Sequence, residues 1–514
     1  MGNTMADGKP GKDPAIRDFG LDYEIMIGCE IHCELLTKTK AFCACENRYG
    51  GMPNTRVCPV CLGLPGAMPV VSREYVEMGA IAGMALDCEI NRFTKFDRKH
   101  YFYPDLVKGY QITQYDIPLC KNGRVKINTA PPSAAPVWKE VRIERIHLEE
   151  DVGKSLHIEG AHSYIDYNRS GVPLIEIVSR PDMSSPEEAS AFMQTLREIL
   201  RYIGVTDGNL EEGSMRCDAN INVIIRDGGK EYRTPISEIK NMNSFKWIRD
   251  ACRYEANRQI AEFVEKRAAG KDLSFDPGYK NTMGWDEAKG ETVVQRTKNS
   301  FVDYRFVVEP DLKPFYLSEE FLASARSKVG ERPQEKRDRF KAEFGLSDFD
   351  AATLTAERAL AEWFEAAAAK SKEPKKTANW VVSEVLAAVN EKNTDTAAAL
   401  ASLAVTPESL AGLVNCISDK TITGKQAKEV FAEMLAGGES AEAIITRRGM
   451  KRVVDPAVIA SIVDEVFAEN PKAVEDFRGG KTNVEAWLVG QVMKKSRGQA
   501  DPQEAAALVR RKLR

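Results

Sequence analysis

Residues 28 to 34 read Gly-Cys-Glu-Ile-His-Cys-Glu, and four further thiols follow at Cys43, Cys45, Cys58 and Cys61. As a β-strand, the heptad sends Cys29, Ile31 and Cys33 to one face and Glu30, His32 and Glu34 to the other. A carboxylate and an imidazole two residues apart then face the same way, about 7 Å apart along the strand. That suits a divalent metal, although the polar face of a half-exposed strand gives the same alternation. The thiols carry a sharper pattern, C-x-C and then C-x2-C, with Pro59 and Val60 inside the second pair. Four such ligands make a closed tetrahedral zinc site, and Gly50, Gly51, Pro53 and Asn54 let the chain turn back between the pairs. The alternatives are buried free thiols or a redox C-x-x-C, which needs a strand-to-helix setting that this segment does not offer.

Further along, acids stand where a chain ordinarily avoids them. In Leu174-Ile175-Glu176-Ile177-Val178 a carboxylate occupies the middle of an apolar strand. An unpaired charge buried there costs several kcal/mol or forces protonation, so Glu176 needs either a buried arginine or a divalent cation. His147-Leu148-Glu149-Glu150-Asp151 crowds acids at a strand end, where they repel one another unless a cation lies between them; acidic turns are also ordinary on surfaces. Asp218, Asn220 and Asn222 share one strand face, and Glu238 and Lys240 repeat the two-residue spacing with opposite charges. Acids scattered over several strands describe a magnesium-nucleotide site, because magnesium keeps its waters and takes one or two carboxylates plus substrate phosphates. The sequence contains no Walker or kinase glycine loop, so ATP would lie on a sheet face. The segment Asp97-Arg98-Lys99-His100-Tyr101-Phe102-Tyr103 interleaves cations with aromatics, as does a surface that pairs phosphates and stacks a base, or equally a stacked aromatic core.

These residues need elements to hold them. The 514 residues are 43% apolar and 29% charged, ordinary for a soluble globular chain of two to four domains. No apolar run reaches the roughly 20 residues of a membrane span, and no secretory pattern opens the chain. Eleven cysteines without an export signal point to reduced thiols and metal in a cytosol-like compartment. With a net charge of −4, phosphate binding falls to local patches: Arg98-Lys99, Lys494-Lys495 with Arg497, and Arg510-Arg511-Lys512 with Arg514. Each is also readable as a solvated face. Short β-branched runs at 112–115, 141–148, 174–178 and 219–225 mix irregularly with helices at 186–203 and 245–269. That predicts an α+β domain over 21–311, after a disordered lead-in at 1–20. Past 312, Ala, Glu, Lys and Leu recur at helical spacing, as over 354–369 and 380–389, with a break at 370–377 and an alanine-rich helix at 396–411. The prediction there is two all-α domains, 312–410 and 411–514, the second divided by Gly437-Gly438 and Gly479-Gly480.

A set of ordered motifs then carries a resemblance. GCEIHCELLTKTKAFCAC, CPVCLGLPGAMPV, FDRKHYFYPDLVKGYQITQYDIPL, IHLEEDVGKS, NRSGVPLIEIVSRPD, EEGSMRCDANI, EIKNMNSF and GWDEAKGET, with NPKAVEDFRGGK, LVGQVMK and GQADP near the end, resemble the B subunits of the aspartyl/glutamyl-tRNA(Asn/Gln) amidotransferases, the GatB family. The resemblance covers about residues 22 to 514. It implies a mainly antiparallel-sheet catalytic cradle similar to that of glutamine synthetase. It also implies ATP-dependent conversion of misacylated Glu-tRNA(Gln) or Asp-tRNA(Asn) to Gln-tRNA or Asn-tRNA. In that chemistry ATP phosphorylates the side-chain carboxylate, and ammonia that an amidase (glutaminase) subunit releases from glutamine displaces phosphate. A small third subunit serves as the clamp. In-line phosphoryl transfer needs positioning and a cation on the phosphate oxygens rather than a protein nucleophile.

Motif by motif, the resemblance makes Glu30, His32, Glu150 and Glu176 the catalytic core, with His32, Glu150 and Glu176 holding magnesium. Asp218 and Glu238 become supporting ligands, and Arg98, Lys99 and Lys240 phosphate contacts. Cys43, Cys45, Cys58 and Cys61 become the zinc knuckle found in many members, and the last hundred residues a tail that contacts the tRNA body. The implied cofactors are therefore ATP, Mg2+ and Zn2+, and the implied setting is the bacterial cytoplasm, with an organellar matrix left open and no membrane partner. The chain departs from the family where Thr234-Pro235-Ile236-Ser237 places Ile236 at a basic position, and again around 298–306. The rival reading is a non-catalytic, zinc-containing tRNA-binding scaffold, against which the acid in the Glu176 strand argues. A free-standing ligase would act without tRNA.

Overall fold

The alternation of the 28–34 heptad runs the length of the strand Asp22–Glu34, which lies inside a ten-stranded sheet. In this computed structural model the described residues are 16–130, 134–157, 162–274, 279–298, 304–450, 456–478, 483–496, 500 and 502–513. The predicted lead-in, the Gly479-Gly480 break, Arg497, Arg514 and the 298–306 departure fall wholly or partly outside them. Across the sheet the order is Glu291–Lys298, Lys280–Asp286, Ile236–Lys240, Met215–Asp227, Asp22–Glu34, Pro173–Ser179, Trp138–Glu150, Cys120–Asn128 and Glu89–Ile90, with Lys230–Arg233 also paired to Met215–Asp227. Neighbours are antiparallel except Ile236–Lys240 and Lys280–Asp286, which run parallel.

One face of this sheet is apolar. Ile27, Cys29, Ile31, Cys33, Leu148, Ile175, Ile177, Cys217, Ala219 and Ile221 are buried in a core shared with the helices Arg73–Ala85, Pro186–Tyr202 and Phe245–Ala268. The last two begin at Ser185 and Ser244, whose hydroxyls accept from the third helical backbone N–H and so satisfy an otherwise orphaned donor. The Arg73–Ala85 helix lies close because Gly79 has no side chain; a Cβ there would stand 2.7 Å from Leu148 Cδ2. From this helix the buried Tyr75 hydroxyl donates to Glu149 O (2.7 Å) and Leu174 O (3.2 Å), tying together the strands that carry Glu149 and Glu176. The alternate residues of these strands form the polar face.

The described residues fall into two compact units, divided between Arg332 and Pro333. The break expected after 311 is therefore displaced. Phe315–Tyr316 pairs with Phe93–Thr94, and the helix Glu319–Val329 is fastened to the Arg73–Ala85 helix by Lys328 Nζ and Ser324 Oγ on Glu77 (2.8 and 3.3 Å). The change to helical composition near 312 marks the last strands of the first unit rather than its end.

In the second unit every element among the described residues is helical. The helical spacing at 354–369 is realised as the helix Arg358–Ala368, with Leu354 closing the preceding helix Asp348–Leu354, and the expected break at 370–377 holds the start of Pro374–Trp380, with Pro at its first turn. The alanine-rich stretch divides into Thr396–Ser402 and Pro407–Ser418; the second starts from a Thr406 capping box, and it runs through the boundary expected at 410. Gly438, at φ 69°, closes Gly424–Gly437 as a left-handed cap. Ile459, Val463, Val466, Leu488, Val492 and Leu508 share a core drawn entirely from residues 459–513.

Candidate functional site

Strand register assembles the polar face. His32 lies opposite Glu176, and Glu176 lies opposite His147 on the next strand. Side chains directly across an antiparallel pair point to the same side, so two imidazoles flank one carboxylate. Glu176 Oε2 is 3.2 Å from His147 Nε2 and 3.4 Å from His32 Nε2. Glu149, two residues after His147 and hence on the same face, places Oε2 3.5 Å from His147 and 4.0 Å from His32. Lys99 Nζ approaches its other oxygen at 3.3 Å.

Burial and charge oppose each other at every group in this cluster. Burial would raise Glu176, but the two imidazoles hold it well below the ordinary carboxylate range. Burial likewise works against Glu149, which Lys99 and His147 pull down. Burial would lower His147, yet Glu176 and Glu149 push it up to about 9, and His32 is raised chiefly through its hydrogen bond to Glu176. Lys99 is held above its ordinary value despite burial by the charges of Glu149 and Glu176.

Ligand atoms of His32, Glu149 and Glu176 lie within 4.8 Å of one another. Glu149 Oε2 is buried and has no hydrogen-bond partner. An orphaned, ionised oxygen beside a second carboxylate and an imidazole is the donor set that a divalent cation completes.

Next to this cluster, Asp151 receives Arg216 Nη2 at 2.6 Å and stands 3.5 Å from Arg169 Nε. Burial and the charge of Asp151 push Glu34 up to about 8. On the other side of the cluster, Glu30 accepts from Asn220 Nδ2 (2.8 Å) and lies opposite Asp218, which is paired with Lys240. Lys240 is 3.3 Å from Glu238, and Lys280 is 3.6 Å from the same acid. Lys280 is the register partner of Ile236, so a cation stands on the neighbouring strand beside the position where Ile236 lacks one.

The structure thus gathers Glu30, His32, Glu176, Lys99, Asp218, Glu238 and Lys240 on one face. Two predicted residues do not join them. Glu150 follows Glu149 and points to the opposite face, where it pairs with Lys108 and accepts from Ile112 N (2.9 Å). Arg98 precedes Lys99 and is likewise turned away. Its guanidinium makes a bidentate pair with Glu309 (2.7 and 2.9 Å), reaches Asp311 (3.1 Å) and lies over the Tyr110 ring. Strand alternation is the reason in both cases. The same rule would have singled out His147 and Glu149 from the sequence, whereas the contact of Arg216 with Asp151 joins distant strands and leaves no local signal.

The four thiols also converge. One sulfur of each of Cys43, Cys45, Cys58 and Cys61 lies within 4.8 Å of the others, and Cys58 and Cys61 are 3.9 Å apart. Tetrahedral zinc at about 2.3 Å from each sulfur separates sulfurs by about 3.8 Å, so the set fits that ion. Hydrogen bonding from Cys43 pulls Cys61 down to about 5 against burial, helped by the Cys58 N–H and the Lys40 charge; burial pushes Cys45 up to about 11. Such polarisation favours a thiolate at Cys61, the form that binds metal. Among the described residues no single helix is long and apolar enough to cross a membrane.

A family model described as the GatB/GatE catalytic domain matches residues 25–323, and one described as the GatB domain matches residues 362–513. A Treponema denticola protein, named as the B subunit of aspartyl/glutamyl-tRNA(Asn/Gln) amidotransferase, is 63% identical over 493 residues, covering 96% of this chain and 98% of the relative. The protein of the same name from Treponema pallidum is 59% identical over 491 residues, covering 96% and 94%. That of Borreliella afzelii is 46% identical over 485 residues, covering 94% and 97%.

Proposed function

The chain belongs to the GatB family, the B subunits of the ligase-type aspartyl/glutamyl-tRNA(Asn/Gln) amidotransferases, and from that premise we propose that its polar sheet face activates the side-chain carboxylate of a misacylated Glu-tRNA(Gln) or Asp-tRNA(Asn). The supporting observation is the convergence of Glu149 and Glu176 on His32 and His147, with one buried Glu149 oxygen left without a hydrogen bond. Within the reading the face corresponds to the phosphoryl-transfer site of a cradle similar to that of glutamine synthetase. Its partners are the amidase (glutaminase) subunit of the amidotransferase, which supplies ammonia from glutamine, and the small clamp subunit.

His32, Glu149 and Glu176 would hold a divalent ion such as Mg2+, whose chemistry there is to neutralise charge on ATP phosphate oxygens during transfer. His147 keeps both carboxylates oriented, and Lys99 extends the positive field toward the γ-phosphate. Glu30, fixed by Asn220, and the Asp218–Lys240–Glu238 group lie along the face where the rest of the nucleotide would run. The substrate carboxylate oxygen attacks the γ-phosphorus, the bond to ADP breaks, and an acyl phosphate results. Ammonia then adds to the acyl carbon, loses a proton, and phosphate departs with the former carboxylate oxygen. The four thiols hold Zn2+ in a structural role. The carboxylate cluster favours this reading over a scaffold that only binds tRNA, because binding tRNA does not require two acids buried together. Assembling the complex with Glu176→Gln and measuring ATP-dependent phosphate release on Glu-tRNA tests it; unchanged turnover would remove catalysis from this face.

A further inference from the structure

Lys40 is 0% exposed, a rare state for a lysine unless its charge is matched. Its ammonium has three N–H groups and three acceptors: Arg56 O at 2.8 Å, Tyr167 O at 3.5 Å and Cys61 Sγ at 3.7 Å. These belong to the loop between the thiol pairs, to the turn Tyr167–Arg169, and to the second thiol pair. A four-thiolate zinc centre carries two net negative charges, and burying them is costly unless a cation stands close.

The same turn is bonded onward to the strand end beside the carboxylate cluster. Ser170 Oγ donates to Cys61 O (3.0 Å), and Ala41 N to Gly171 O (2.9 Å). Gly171 N then donates to Asp151 O (2.9 Å), and Asp151 N to Val172 O (2.8 Å). Arg169 Nε donates to Val152 O (3.0 Å) and lies 3.5 Å from the Asp151 carboxylate. Gly171 sits at φ +81°, and a Cβ there would meet Cys61 Cβ at 3.4 Å and Lys40 Cδ at 3.7 Å. Thiols, buried lysine and turn are therefore packed as one piece.

We propose that Lys40 is a positioning residue that couples the metal state of the four thiols to the 167–171 turn and, through it, to the placement of Asp151 and Arg169 beside the carboxylate cluster. The proposal rests on the zinc reading given above. Loss of metal at the thiols then loosens the edge of the carboxylate face without removing any residue from it.

The test is hydrogen exchange over residues 166–172 in the full chain, with zinc content measured first by elemental analysis. In the zinc-loaded wild type the turn is protected, and chelation raises its exchange at least tenfold while the strand Lys280–Asp286 is unchanged. Lys40→Met with zinc bound already shows the faster exchange, holds zinc about 10–100-fold more weakly, and shifts the thiolate-to-metal absorption band of the cobalt(II)-substituted protein. Lys40→Arg keeps the charge and recovers part of the protection. Unchanged exchange in the wild type after verified zinc removal overturns the coupling even if Lys40→Met fails to fold. A wild type that takes up no zinc when it is supplied overturns the zinc reading itself, and is seen before any exchange is compared.

Discussion

Glu149 and Glu150 are consecutive in the chain, yet their carboxylates serve opposite faces of the sheet. Glu149 meets His32, His147 and Lys99, whereas Glu150 is held by Lys108 and the Ile112 N–H. The phosphoryl-transfer reading therefore assigns the two acids different consequences. Glu149→Gln should lower ATP-dependent phosphate release on Glu-tRNA at least about 100-fold, since loss of even an outer-shell metal partner costs 10–100-fold. Glu150→Gln should lower it by much less and should act on folding stability through the unpaired Lys108. The opposite ranking in single-turnover phosphate release would refute the assignment of faces.

How much of this was legible in the sequence follows from the same alternation. The heptad at 28–34 places Glu30 and His32 on one face, because a period-two pattern needs only one strand to be read. Glu176 stands out by breaking an apolar run. The pairing of Glu176 with two histidines could not be read, because register between the strands at 22–34, 138–150 and 173–179 is set by contacts between segments far apart in sequence. Composition failed at the unit boundary for a related reason: the helix Glu319–Val329 looks like the helices after it, but packing on Arg73–Ala85 makes it part of the first unit.

Arg98 offers a test of stability rather than chemistry. Its partner Glu309 has a side chain with 0% exposure, and removing one member of a buried pair strands the other charge. Arg98→Ala should cost about 3–5 kcal/mol in chemical denaturation. Arg98→Lys should recover only part of that, because a lysine cannot reproduce the two parallel bonds to one carboxylate. A loss below about 1 kcal/mol would mean that Glu309 finds another partner.

The histidine pair gives a pH signature in protein stripped of metal. His147 is raised to about 9 by Glu176 and Glu149, over the opposing effect of burial. A basic group raised on folding contributes stability that is complete below its unfolded value, near 6.5, and is lost as pH rises through its folded value. With chelator present, the denaturation midpoint should therefore fall between about pH 6.5 and pH 9, and His147→Gln should flatten that fall. Metal binding at His32 requires a neutral imidazole, and His32, against burial, is raised by Glu176, so metal affinity should strengthen as pH rises. A midpoint independent of pH in the stripped wild type would contradict the charged pair.

The helical end of the chain yields the last prediction. A cut at residue 410 would divide the helix Pro407–Ser418 and so confuse misfolding with loss of function. A cut after Met450 removes the 459–513 core whole. Several of the basic residues in that region are already paired, Lys495 with Glu465 (2.9 Å), Arg510 with Glu485 (2.6 Å) and Lys512 with Asp464 (2.5 Å), so the net attraction for phosphate is weaker than the sequence patches imply. Even so, a tail that contacts the tRNA body should contribute several phosphate contacts, each steepening the dependence of affinity on salt. In the assembled complex, truncation after Met450 should weaken tRNA binding and flatten its salt dependence while leaving glutamine hydrolysis by the amidase partner intact. Equal affinity and an equal salt slope, measured by filter binding at several ionic strengths, would show that tRNA is held elsewhere.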